Sequence, residues 1–151
     1  MIRHLERADY QQVYEILQRF AGDSGILALQ NRDLYDYTYI KKILLQCETT
    51  GFSWVSVDNK KIQGFFLSLI VPDLWVPSTL FLREIAWYVL PEYRNTSAGA
   101  RLYARYKRNA EYALQNGRIS GYTITRLASS PPLDYEKSGF RFIEATYMIG
   151  D

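Results

Sequence analysis

One cysteine and one histidine in 151 residues exclude several chemistries at the outset. Cys47 has no partner for an intramolecular disulfide and cannot build a thiolate metal site, and His4 alone cannot anchor a histidine-based one. No metal is therefore expected. No window approaches the roughly 18 consecutive apolar residues of a membrane span, so no membrane association is expected. The N-terminus, MIRHLERADY, is charged from its third residue and lacks the apolar core of a secretory signal. These absences lead us to expect a soluble protein of a reducing compartment, the cytoplasm. Charge of one sign is missing too: 18 basic residues face 16 acidic ones, a formal net charge of +2, so net charge does not suggest a nucleic-acid binder. Cys47 lies in a helical-looking stretch with no activating neighbour, which reads as a packing thiol.

Apolar and aromatic content is high. Hydrophobic residues make up 48% of the chain and aromatics 15%, with 13 tyrosines, a composition that folds rather than staying disordered. The length suits one domain spanning residues 1–151, and no internal repeat or linker divides it. A short strand, Met1 to Leu5, precedes Asp9, which is placed to cap a helix presenting Val13, Ile16, Leu17 and Phe20, with Gln12 at the capping-box position. After a break at Ala21 to Gly25, DLYDYTYIKKILLQC predicts a second helix with Tyr39, Ile43 and Leu44 facing inward. Phe52 to Val57 and Ile62 to Ile70, separated by DNKK, predict an antiparallel hairpin, and Leu80 to Val89 a third strand ended by Pro91. Thr96 to Gln115 is the longest predicted helix, stopped by Asn116 and Gly117. Ile119 to Leu127 predicts a strand, Leu133 to Ser138 a short helix and Phe140 to Ile149 a last strand. Strands interleaved with helices around a central hairpin predict an α/β (α+β) domain with a mixed sheet of about six or seven strands and helices on both faces.

The segment EYRNTSAGARLY, residues 92–103, joins a strand end to that longest helix through small residues. Helix N-terminal amides point back along the axis and carry partial positive charge, so they suit a pyrophosphate. Asn95, Thr96, Ser97, Ala98, Gly99 and Ala100 allow close approach, and Arg94 and Arg101 add charge. The plainer alternative is that Thr96 or Ser97 caps the helix and the arginines face solvent.

Two segments together point further. VLPEYRNTSAGARL resembles the acetyl-CoA pyrophosphate motif of the GNAT superfamily of N-acetyltransferases, an Arg or Gln, two residues, Gly, one residue, then Gly or Ala. Arg94 and Gly99 fit, while Ser97 stands where the family has its first glycine. LDYEKSGFRFIEATYMIGD is similar to the family's C-terminal helix and strand, matching at Tyr135, Glu136, Lys137, Gly139 and Phe140. Ala128 stands where many members carry a pantetheine-contacting asparagine. REIAWYVLPEYR is also similar to small phage-encoded members, which would put the protein in a host cytoplasm or a virion.

The resemblance implies acetyl-CoA as co-substrate and direct acetyl transfer to a primary amine of a small molecule or protein. It implies that Trp87, Tyr88 and Val89 bind pantetheine and the thioester through their backbone and that Tyr135 is the general acid. Glu84 lies on the same strand. A carboxylate on a largely buried strand is costly unless paired or used, and its raised pKa suits a base for the amine proton; an ion pair with Arg83 or a solvent-facing position is the alternative. The acceptor side falls by family position on Asp33, Tyr35 and Asp36, with Tyr37 and Tyr39, acidic and aromatic groups that suit a cation. Trp75, in the apolar VPDLWVP loop, fits either a pocket lip or a homodimer contact.

Two rival functions compete with this one. Ser97 and Ala128 are consistent with a GNAT-like binding or virion structural protein that has lost catalysis. Arg101, Arg105, Lys107 and Arg108 could form a basic stripe for nucleic acid, although the same spacing describes the solvent face of an amphipathic helix, so nucleic acid is not the expected partner.

Overall fold

The protein is described from a computed structural model covering residues 1–25 and 36–149. Five strands form one mixed sheet in the order β1 (Ile2–His4), β2 (Trp54–Asp58), β3 (Lys61–Pro72), β4 (Leu80–Val89) and β5 (Gly121–Thr123). The first four are antiparallel neighbours, and β5 lies parallel to β4. Helices α1 (Tyr10–Asp23) and α2 (Tyr37–Thr50) cover one face, where Val13, Leu17, Leu44 and Cys47 pack on Val55, Phe65 and Leu67. Helix α3 (Ala98–Gln115) covers the other, where Leu102, Tyr106 and Ala110 pack on Trp54, Phe66 and Leu82. Among the described residues no helix is long and apolar enough to cross a membrane.

Several expected elements differ in detail. Asp9 does not cap α1. A 3-10 turn, Arg7–Asp9, comes first, and the buried Asp9 carboxylate accepts from the Glu6 amide and takes both ends of the Arg3 guanidinium at 2.7 and 2.8 Å. Gln12 instead ties α1 to the sheet, accepting from the Ile62 amide and donating to the Lys60 carbonyl. In α2 Tyr39 points outward at 59% exposure while Leu44 and Cys47 face the core, because the buried face follows the positions nearest the sheet. Burial pushes the Cys47 thiol up to about 11, as suits a packing residue.

The DNKK loop closes tightly. Asn59 and Lys60 both take positive φ, 46° and 65°, the two-residue turn whose twist matches paired strands. Just after that turn β3 passes very close to β4: a Cβ on Gly64 would stand 2.6 Å from the Tyr88 carbonyl oxygen and 2.9 Å from the Val89 Cα. We expect Gly64→Val to cost about 2–3 kcal/mol, a fall in Tm of roughly 5–10 °C by calorimetry. An unchanged melt would mean that the two strands are not so closely apposed.

The C-terminal third departs most from expectation. The strand expected over Ile119 to Leu127 is only the three-residue β5, the helix expected over Leu133 to Ser138 is one 3-10 turn, Glu136–Ser138, and Phe140 to Ile149 forms no ladder. The sheet therefore has five strands among the described residues rather than six or seven. A three-residue edge is too short to hold a strand of the expected length, and Phe142, Ile143, Tyr147 and Ile149 stay exposed.

Candidate active site

The site begins with a register shift. Leu67 pairs with Ala86 but Ser68 pairs with Glu84, so Ile85 is an extra residue in β4. Without that bulge Glu84 would share a face with Ala86 and Tyr88, which pack under α1 and α2. With it, Glu84 shares the α3 face with Trp87 and Val89.

At the same level β5 leaves β4. The two pair only at Phe81 with Gly121, Leu82 with Tyr122 and Arg83 with Thr123. The next chain contact is the Thr125 amide donating to the Glu84 carboxylate at 3.0 Å. Beyond it, no strand among the described residues pairs with residues 85–89 of β4 on that side, so β4 and β5 part in a V with Glu84 at its apex.

The Glu84 side chain is buried, with only 6% of the residue exposed. Burial pushes its pKa up to about 7, against the lesser pull of the Thr125 hydrogen bond and the Arg83 charge. A carboxyl group poised near neutrality is matched to proton abstraction at cellular pH.

An aromatic wall runs from the opening toward the C-terminal turn. Trp87 stacks on Tyr103 with centroids 5.5 Å apart, Tyr103 stands 6.4 Å from Tyr135, and Phe140 contacts Tyr135 and Tyr122 at 6.1 and 5.3 Å. Tyr135 is half-buried, and its phenol is pushed up to about 12, first by desolvation and then by the charge of Glu84. The two side chains thus share one electrostatic neighbourhood. Tyr103 was not anticipated as part of this group; its hydroxyl is buried without a hydrogen-bond partner. Its place one turn after Gly99 on the inward face of α3 was the available signal.

The start of α3 closes the upper end of the opening. Ser97 precedes the helix with φ −76°, an ordinary conformation for a residue with a side chain, and its hydroxyl makes no capping bond. Thr96 shapes the turn, donating to the Tyr93 carbonyl at 2.7 Å and accepting from the Ala98 amide at 3.2 Å. The Gly99 and Ala100 amides belong to the first helical turn and lack a partner four residues back. A Cβ on Gly99 would lie 3.5 Å from Val89 Cγ2 and 4.0 Å from Trp87 Cζ2, so the helix start rests against the free end of β4.

Other anticipated residues lie elsewhere or do other work. Arg94 bridges the end of β4 to α1, donating to the Val89 carbonyl at 3.0 Å and to Asp23 at 3.1 Å while its guanidinium lies over the Tyr88 ring. Tyr88 donates its hydroxyl to the same Asp23 carboxylate. Asp36 caps α2, accepting from the Thr38 amide at 2.8 Å. Asp33 and Tyr35 lie outside the described residues. Arg101 and Arg108 are on the solvent side of α3, and Lys107 pairs with Glu111 at 3.4 Å. Among the described residues no group of three or more His, Cys, Asp and Glu could hold a metal ion.

No protein-family model matches the sequence, and no curated protein matches it. Solved structures do. A predicted acetyltransferase with acetyl-CoA from Clostridium acetobutylicum superposes with a TM-score of 0.73 at 14% identity, over 99% of this chain and 95% of that one. A transcriptional regulator from Bacillus halodurans gives 0.67 at 15% identity, over 99% and 98%. Ribosomal-protein-alanine N-acetyltransferase from Brucella melitensis biovar Abortus 2308 gives 0.62 at 15%, over 99% and 98%. The likeness is one of fold: the chain has the GNAT α/β fold. That a regulator shares it separates fold from activity. None of these three proteins is described as phage-encoded, so the likeness to phage members gains nothing from them.

Proposed function

We propose that the protein transfers an acetyl group directly from acetyl-CoA to a primary amine of a small molecule or protein. The observation that carries this reading is the position of the buried Glu84 carboxyl, at the point where β4 and β5 part and where its charge reaches the Tyr135 phenol. The fold likeness to an acetyltransferase with acetyl-CoA supports it.

The residues fit such a co-substrate. The amides of Gly99 and Ala100 and the Ser97 hydroxyl form a small, positively polarised surface for a pyrophosphate. The edge of β4 at Trp87 and at the Val89 amide, whose carbonyl is already taken by Arg94, supplies backbone groups for an amide-containing arm running toward Glu84. Arg94 contributes by holding Val89 and α1 in place as much as by its charge.

Glu84 takes a proton from the incoming ammonium or from the amine as it attacks the thioester carbonyl. The carbon–sulfur bond then breaks, and Tyr135 protonates the departing thiolate. A phenol near 12 is a reluctant acid, and part of that reluctance is the Glu84 charge. Once Glu84 has gained a proton that charge is gone, so the base step makes Tyr135 a better acid. Asp36, and Asp33 and Tyr35 beyond the described residues, remain the proposed acceptor side.

Thiol release measured over a panel of primary amines tests the reading. Saturable turnover with at least one amine, reduced in Tyr135→Phe, is expected. Acetyl-CoA binding with no turnover across small amines and peptide N-termini would instead indicate a binding module.

A further inference from the structure

The turn joining β3 to β4 ends in an apolar tip that the chain leaves in water: Leu74 is 82%, Trp75 85% and Val76 51% exposed. The tip is nevertheless held in shape. Asp73 Oδ1 accepts from the Trp75 and Val76 amides at 2.8 Å each, the Asp73 amide donates to the Thr79 carbonyl, and the Thr79 amide donates to the Val76 carbonyl. Side chains presented on such a frame lose little freedom on docking, and tryptophan is prominent among residues that anchor interfaces.

Beside the tip lies an open groove of about 600 Å³, lined in part by Leu45 and Thr49 of α2, Leu69 and Val71 of β3, and Arg118. Arg118 is fixed at the groove, donating to the Thr50 carbonyl at 3.1 Å and lying over the Phe52 ring. The tip does not fill this groove within its own chain, since Trp75 stays 85% exposed.

We propose that a second copy of this chain fills it, the Trp75 tip of each protomer entering the groove of the other about a two-fold axis. The groove reaches Val71 and the tip starts at Asp73, so projection and recess belong to one surface patch. A patch that carries both halves of its own complement closes as an isologous dimer, whereas an unrelated partner would use only one half. Asp73 at the base of the tip and Arg118 at the groove carry opposite charges, so the exchange sets no like charges together. Two tips and the linings they cover bury on the order of 1,200 Å², the lower end for a stable interface.

Sedimentation velocity on the full chain tests this over about 1–100 µM, a range that resolves interfaces of this size. The wild type is expected to sediment as a dimer, Trp75→Phe likewise, and Trp75→Ser and Leu45→Glu as monomers of half the mass. Both substituted positions are exposed, and thermal melts near that of the wild type will show that the variants fold. A monomeric wild type at the highest concentration, or a dimeric Trp75→Ser, overturns the proposal. A monomeric Trp75→Ser beside a dimeric Leu45→Glu also overturns it, because the tip would then dock outside the groove.

Discussion

Replacing Glu84 with glutamine is expected to lower kcat/KM for the amine by about 10²- to 10⁴-fold while raising thermal stability at pH 8. The two effects have one cause. The carboxyl is buried and accepts one amide hydrogen bond, from Thr125, and burial raises its pKa from 4.5 to about 7. A raised acid binds more protons folded than unfolded, so its contribution to stability declines as pH rises from about 4.5 to about 7 and is fully lost above that. The ionised form is costly by on the order of 3 kcal/mol at pH 8, and the neutral amide of Glu84→Gln would avoid that cost while keeping an oxygen for the Thr125 amide. The variant should therefore melt higher than the wild type at pH 8, with the gap closing near pH 5. Activity should move the opposite way: in the wild type kcat/KM rises with pH through about 7, and in the variant that limb disappears. A variant with wild-type kcat/KM would remove Glu84 from the chemistry, and an unchanged melting difference between pH 5 and 8 would remove its raised pKa.

Ser97→Asp is expected to leave the protein as stable as the wild type, or about 1 kcal/mol more stable, and to weaken acetyl-CoA binding by about 100-fold. Ser97 stands at the N-cap position of α3 but makes no capping bond, and aspartate is among the best capping residues. Its carboxylate would accept from the amides of the first turn and place a negative charge where a pyrophosphate is proposed to sit. A helix start that merely caps gains from the change, and one that cradles an anion loses its ligand. Tighter or unchanged binding, read by calorimetry beside a melting curve, would assign this turn to capping alone. Gly99→Ala is a useful companion, because a Cβ there meets only ordinary contacts at 3.5 and 4.0 Å and should disturb neither folding nor binding by much.

How much of this was legible in the sequence varies along the chain. Helix α3 announced itself through Leu102, Tyr106, Ala110 and Ala113, and the β2–β3 turn through DNKK, because both are local patterns with local causes. The bulge at Ile85 was not legible. The run Glu84 to Val89 reads as ordinary strand, and the extra residue shows only once β3 fixes the register. Glu84 stands out in the sequence for the cost of burying a carboxylate, yet nothing local says which face it takes, and that face puts it near Tyr135. Arg94 shows a second limit: an arginine beside a helix start suggests an anion ligand, and nothing local shows that its guanidinium also ties Val89 to Asp23 on α1. Asp36 was placed on the acceptor side by family position, while its carboxylate is used as a helix cap. The C-terminal strand failed for a tertiary reason, since Phe140 to Ile149 has strand-like composition but β5 offers it only a three-residue edge.

The proposed activity rests on the opening between β4 and β5, closed above by the start of α3, binding acetyl-CoA with its thioester end toward Glu84. Isothermal titration of the wild-type chain with acetyl-CoA tests it most directly, with Glu84→Gln and Ser97→Asp as companions. One site per chain with a sub-millimolar Kd is predicted, retained in Glu84→Gln and lost in Ser97→Asp. No binding to the folded wild type at millimolar acetyl-CoA would contradict it.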